Sequence, residues 1–320
     1  MLQRYIHKSR QIKLMMAAIF LAVFLSGCSG APEHTKVDFA DPIGGSSIVT
    51  AADLIAFIEK GESDVAKLSA DISLEGEMLR ITKARQGITI DGNGFTISGA
   101  GACVLRLDEG CSITLNNITI YGVADAIGCL GTAFIGGNGA KITGIGNGIR
   151  SEGSVTILSG SSISCEANKG VGVVSSGLTL QDGASLTAEG PMGGISSSGD
   201  IFVNSGAQLA AYTEENYNAI KCGATLTLED GSKFIAENRG SFHGAEISML
   251  QVNGAVTIEA KGGKNSSGLF LFEQLENIAV IGSCEPQPRF EKGKGSITFV
   301  DKAQDLPDEP QPVATPVEEE

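Results

Sequence analysis

The sequence has no tryptophan, and aromatic residues make up only 5% of its 320 positions. Surfaces that stack nucleic-acid bases are built on clustered aromatics, so that class of partner is disfavoured from the start. Histidine is scarce as well: there are three, and only His243 falls in the central part of the chain. No Cys-x-x-Cys pair occurs among the seven cysteines, which argues against a zinc site. The longest apolar run, Leu14 to Leu25, has 12 residues, whereas a membrane-spanning helix takes about 20. Basic residues are outnumbered, 23 Lys and Arg against 37 Asp and Glu, for a net charge of −14. Four of the bases (Arg4, Lys8, Arg10 and Lys13) precede that apolar run with no acid among them, so the chain beyond residue 27 carries −18. Such a charge repels phosphate backbones, and nucleic acid is excluded as a partner on this second ground.

What is present begins with an export signal. A basic segment is followed by the short apolar run and then by small residues, Leu25-Ser26-Gly27-Cys28. That tetrad resembles the bacterial lipobox. The resemblance implies cleavage before Cys28, a lipid on its thiol, and a protein held to the cell membrane on the extracytoplasmic side. Residues 28–48 are small, polar and interrupted by Pro32, Pro42, Gly44 and Gly45, which reads as a flexible tether. At the other end, 304–320 holds four prolines and six acids and reads as a disordered acidic tail. The folded domain is expected over 49–303.

Within it one turn dipeptide recurs: Asn93-Gly94, Asn116-Asn117, Asn138-Gly139, Ser159-Gly160, Asp182-Gly183, Ser205-Gly206, Asp230-Gly231 and Asn253-Gly254. The steps run from 21 to 25 residues. Its second residue is Gly everywhere except Asn117, the residue type that next best tolerates a left-handed backbone. Three short apolar strands share the period, for example Leu178-Thr179-Leu180, Ser185-Leu186-Thr187 and Ile195-Ser196-Ser197. Each alternates inward and outward side chains, and no helical stretch lies between them. Three strands per ~23 residues make one coil of a solenoid, and a coil buries its apolar face only by stacking on the next. The expected fold is all-β: a single-stranded, right-handed parallel β-helix of about ten coils, monomeric, rather than a sandwich. Thr50 followed by Asp53, with Leu54, Phe57 and Ile58 on one stripe and Gly61 after it, predicts an amphipathic helix that caps the first coil. Ser296 to Val300 is a candidate closing strand.

This helix, the phrase Gly87-Ile88-Thr89-Ile90-Asp91-Gly92-Asn93-Gly94 and the repeated coils resemble the pectate-lyase-like right-handed β-helix superfamily over about 50–300. The resemblance implies the fold and leaves three functions open: polysaccharide lyase or glycoside hydrolase, non-catalytic carbohydrate binding, or an adhesive or structural rod. The Asn-Thr-Asp, Asp-Asp, Gly-His-Gly and Arg-Ile-Lys signatures of the polygalacturonase type are absent. The nearest fragment, Phe242-His243-Gly244, has no paired carboxylates beside it, and inverting hydrolysis needs two. The outward position of the third strand reads Arg106, Gly128, Arg150, Val174, Ser196 and Lys221, with no acid to hold calcium. No cofactor is expected; Asp108, Glu109 and Glu152 at the following turn read as solvated charge, with a weak calcium site there as the alternative.

Two surfaces remain as candidates. The line of Arg106, Arg150 and Lys221 would suit an anionic sugar. The second lies where the loops between second and third strands lengthen, carrying Tyr212, Glu214, Tyr217, Asn238, Arg239, Phe242 and His243. At a register of 25, Tyr217 stacks over Phe242 and Glu214 over Arg239. Rings beside carboxylates and amides suit a sugar, whose C–H faces pack on aromatics while its hydroxyls need polar partners. The expectation is a non-catalytic surface lipoprotein that binds carbohydrate or another extracellular ligand.

Overall fold

Every second residue of the turn dipeptide has a positive φ, from 46° at Asn117 to 98° at Gly254. This conformation bends the chain from the first strand into the second within two residues, and the turns then stack on one another. The Gly94 N–H donates to the Asn117 carbonyl at 2.7 Å, and those of Gly160, Gly183 and Gly206 donate to the carbonyls of Asp182, Ser205 and Asp230, the first residue of the next turn dipeptide, at 3.0–3.1 Å. The repeat therefore works as a stacking device as well as a turn.

The computed structural model describes residues 46–61, 63–264 and 266–271, together with the backbone of 296–299. The leader, Cys28 and the acidic tail lie outside the described residues, as does Cys284. Between the turns the strands form three parallel ladders. First strands such as Ile88–Asp91, Ser154–Ile157 and Gly177–Leu180 pair coil upon coil, and so do third strands such as Asp125–Cys129, Ile149–Ser151 and Ile195–Ser197. Toward the end of the stack these two ladders fuse, because Ile220–Glu229 and Ala245–Asn253 each serve both, with a register shift between Cys222 and Thr225. The second strands make a separate ten-stranded sheet, in which Ser296–Phe299 pairs antiparallel with Thr257–Lys261 and closes the edge. The ordered stack begins slightly before the expected boundary of 49: Ser46–Ile48 pairs with Ala66–Leu68 in the first ladder.

The core is a set of aliphatic columns. Leu186 is fully buried and Ile195 is 1% exposed, as their inward register requires. Ile195→Ala should cost about 2–5 kcal/mol and the outward Ser196→Ala no more than about 0.5 kcal/mol in urea unfolding. Cys129 lies beside Ser151, and Ser197 beside Cys222, at one inward position of the third ladder. All five described cysteines are free and buried. Burial raises their thiols, Cys222 to about 11 and Cys129 to about 12. They act as small apolar fillers.

The helix α1 (Ala51–Lys60) caps the stack. Thr50 and Asp53 form a reciprocal capping box, with Asp53 N–H donating to Thr50 Oγ1 at 3.2 Å and Thr50 N–H to Asp53 Oδ2 at 3.1 Å. Leu54, Phe57 and Ile58 are buried. Gly61 ends the helix in an extended rather than left-handed conformation, and a Cβ there would lie 2.4 Å from the Phe57 carbonyl oxygen. Arg85, from a later coil, donates to the Phe57 and Ile58 carbonyls at 3.1 and 3.2 Å, satisfying helix-end acceptors.

Candidate ligand surface

After early loops of five (74–78) and three (100–102) residues, the loops from second to third strand lengthen from residue 123 onward. They span 123–124, then 145–148, 168–172, 190–194, 214–219, 239–244 and 262–268, from two residues to seven. The lengthening expected from residue 209 onward is thus the later part of a gradual series. The loops are laced together: Met192 N–H donates to the Gly170 carbonyl at 3.0 Å, Arg239 N–H to Thr213 at 2.9 Å, and Lys264 N–H to Gly240 at 3.0 Å. They form one ridge.

Three exposed apolar side chains occupy the same place on this ridge, three residues before the third strand: Met192, Tyr217 and Phe242, at 46%, 45% and 46% exposure. Successive coils separate them by ~4.8 Å. The equivalent residue in the next loop is Ser266, so the apolar row ends there. Tyr217 and Phe242 belong to the expected set, and Met192 does not; its position became visible only once the third strands were aligned.

Beside the row lies a network of charge. Arg239 Nη1 meets Glu214 Oε1 at 3.3 Å, the pairing expected from a register of 25, and its Nε meets Glu237 Oε1 at 3.4 Å. Lys261 also reaches Glu237, at 3.1 Å. The Arg239 guanidinium sits 5.6 Å from the centre of the Tyr212 ring. Hydrogen bonding to Glu214 and the charge of Glu237 raise the pKa of Arg239 above its ordinary value. Burial disfavours the charged form of Glu237, but the Lys261 hydrogen bond and the two neighbouring cations outweigh it, so its pKa falls. Below this network a shallow groove of about 160 Å³ is lined by Glu166, Glu189, Glu214 and Glu215, with Asn168 and Pro191.

Two of the expected residues hold the ridge together, Asn238 buried and His243 half-buried. Asn238 is 1% exposed. Its side-chain amide donates to the Glu215 and Tyr217 carbonyls, and its oxygen accepts from Gly240 N–H at 2.7 Å. His243 stacks on Phe270 with centroids 4.6 Å apart, and its Nδ1 accepts from Ser267 N–H at 3.1 Å. A ligand on the ridge would meet Tyr217, Phe242, Glu214 and Arg239, with Asn238 and His243 behind them.

The basic line on the third ladder is differently composed from its expected form. Its register runs Arg80, Arg106, Gly128, Arg150, and later Ser196, Lys221, Glu246. An acid follows Lys221 in the row, paired with it at 3.6 Å, and Phe270 follows that acid. Arg80, absent from the expected set, is held by Asp108 through two contacts of 2.9 Å. Arg150 is exposed, while Arg106 is half-buried with its Nε unpartnered. The line is reduced to Arg106 and Arg150.

No family model matches the chain, and no curated protein matches it. A match among solved structures is an SRRP of L. reuters 100-23, 14% identical, with a TM-score of 0.43 over 67% of this chain and 85% of that one. A likeness that loose carries no argument about activity or ligand.

Proposed function

We propose that the protein is a lipid-anchored, extracytoplasmic solenoid that binds a carbohydrate without transforming it, through the loop ridge of Tyr217 and Phe242. The observation that carries this reading is the row Met192, Tyr217 and Phe242, nearly half exposed on three successive coils and edged by Arg239 and Glu214. A repeated apolar row on a projecting ridge, rimmed by charge, is the form of a contact surface.

Two measurements test the reading. Cys28→Ala, expressed in a bacterium, should move the protein from the membrane fraction to the medium; detergent-dependent membrane retention of the variant would remove the lipid anchor. For any polysaccharide that the protein retains, Tyr217→Ala should weaken binding about tenfold, as loss of one stacked ring implies. Arg150→Ala should leave it unchanged. Undiminished binding by Tyr217→Ala would reject the ridge, and loss in Arg150→Ala alone would place the ligand on the basic line.

A further inference from the structure

Beyond its early coils, where Lys67 meets Asp91 at 3.9 Å, the outward face of the first ladder has a composition unlike the other two. Its central lane runs, one residue per coil, Phe134, Thr156, Thr179, Phe202, Thr227 and Gln251. No position in it is charged. The second ladder, by contrast, carries Lys141 paired with Glu166, and Lys233 with Glu259, on its outer face, and the third carries Arg80, Arg150, Lys221 and Glu246. Only Asp200 and Glu229 flank the lane with charge over these coils, and both are engaged within the fold. Asp200 Oδ1 accepts from Thr225 N–H at 2.9 Å, and Glu229 Oε1 from Asn253 Nδ2 at 2.8 Å.

The lane also shows how its rings lie. Thr156 and Thr227 point outward yet are only 8% and 5% exposed, while Thr179 between them is more open. Each of the two buried threonines follows a phenylalanine by one coil. A ring laid along the sheet over the next coil accounts for both burials, and it leaves a ring face toward solvent; Phe202 remains 40% exposed. The two rings are three coils apart, about 14 Å at the spacing of paired strands.

We propose that this face is a second ligand surface, distinct from the loop ridge, and that it takes a neutral polysaccharide laid along the stack. Ring faces accept the C–H face of a sugar, while threonine hydroxyls and the amides of Gln181, Asn204 and Gln251 meet its hydroxyls. The lack of charge selects against uronic and sulfated polymers on one side and amino sugars on the other. Six strands by three outward positions make roughly 500 Å² at standard sheet spacings, short of the ~800 Å² per partner of a stable protein interface. That area favours a polysaccharide chain over a second copy of the protein.

The test is retention of the full-length protein on insoluble cellulose and on insoluble chitin, with immobilised polygalacturonate as the anionic comparison. Retention on a neutral polymer that persists in high salt is expected, with about a tenfold loss when both rings go in Phe134→Ala/Phe202→Ala. Thr179→Arg, which puts a charge mid-lane at an already open position, should lose binding as well, and it guards against misfolding of the double variant. Val49→Ser, at an exposed apolar residue ahead of the capping helix, should bind as the parent does. The proposal falls if neither neutral polymer is retained, if retention survives both lane variants, or if it collapses with salt. Loss in Tyr217→Ala with the lane variants unaffected would assign the polysaccharide to the loop ridge alone. Self-association abolished by the lane variants in sedimentation velocity would make the face an interface between copies and overturn the proposal.

Discussion

Phe234→Ala is expected to cost about 3–5 kcal/mol in urea unfolding, the range for removing a fully buried aromatic. Phe234 has no exposed surface and is the largest of the fully buried side chains. It points inward from the second ladder, between Leu209 one coil before and Ile258 one coil after. Collapse around the vacated space is opposed by the ladders, because each wall of the cavity is a strand bonded on both sides. The cavity term is therefore retained rather than relaxed away. Phe202→Ala removes a ring of the same size from the outer face, where Phe202 is 40% exposed, and should cost no more than about 1 kcal/mol. Equal losses at the two positions would contradict the inward and outward assignment.

Gly137→Ala should be more damaging still, above about 4 kcal/mol or failing to fold. Gly137 has φ of +129°, a region that side-chain-bearing residues scarcely enter, and its Cβ would stand 1.8 Å from the Leu115 carbonyl oxygen. Leu115 is wholly buried within the first ladder and has no direction in which to retreat. Gly183→Ala provides the contrast. There φ is +66° with open space around the position of a Cβ, so only the left-handed backbone is penalised, by about 1–2 kcal/mol. Thermal unfolding of the two variants separates steric exclusion from backbone preference. A Gly137→Ala protein that unfolds like Gly183→Ala would contradict the close stacking of these coils.

The coil repeat was legible because its signal is local and repeated. A residue with a left-handed backbone is needed at each turn, and the chain supplies Gly or Asn at every one, Asn117 included. Alternation within each strand was legible for the same reason, and it placed Leu186 and Ile195 correctly. The ridge was only half legible. The pairing of Glu214 with Arg239 follows from counting one coil, but the burial of Asn238 does not. Asparagine in a loop reads as solvent-facing, and its partners, the carbonyls of Glu215 and Tyr217, come from the coil before. The basic line is legible only between Arg106 and Lys221; the register extends the same row to Arg80 before it and to Glu246 and Phe270 after it. Met192 and the uncharged lane from Phe134 to Gln251 were missed because neither is a motif along the chain. Each exists only as a column across coils, which appears once the register of every strand is fixed.

The most direct test of the account is to incubate the purified protein with a panel of plant and host polysaccharides, with and without calcium. Both bound material and released products should be measured. Retention of a polysaccharide with no change in its chain length or reducing ends, in either condition, is the expected result. Release of unsaturated or shortened products would contradict a non-catalytic role, and failure to retain any member of the panel would contradict carbohydrate binding.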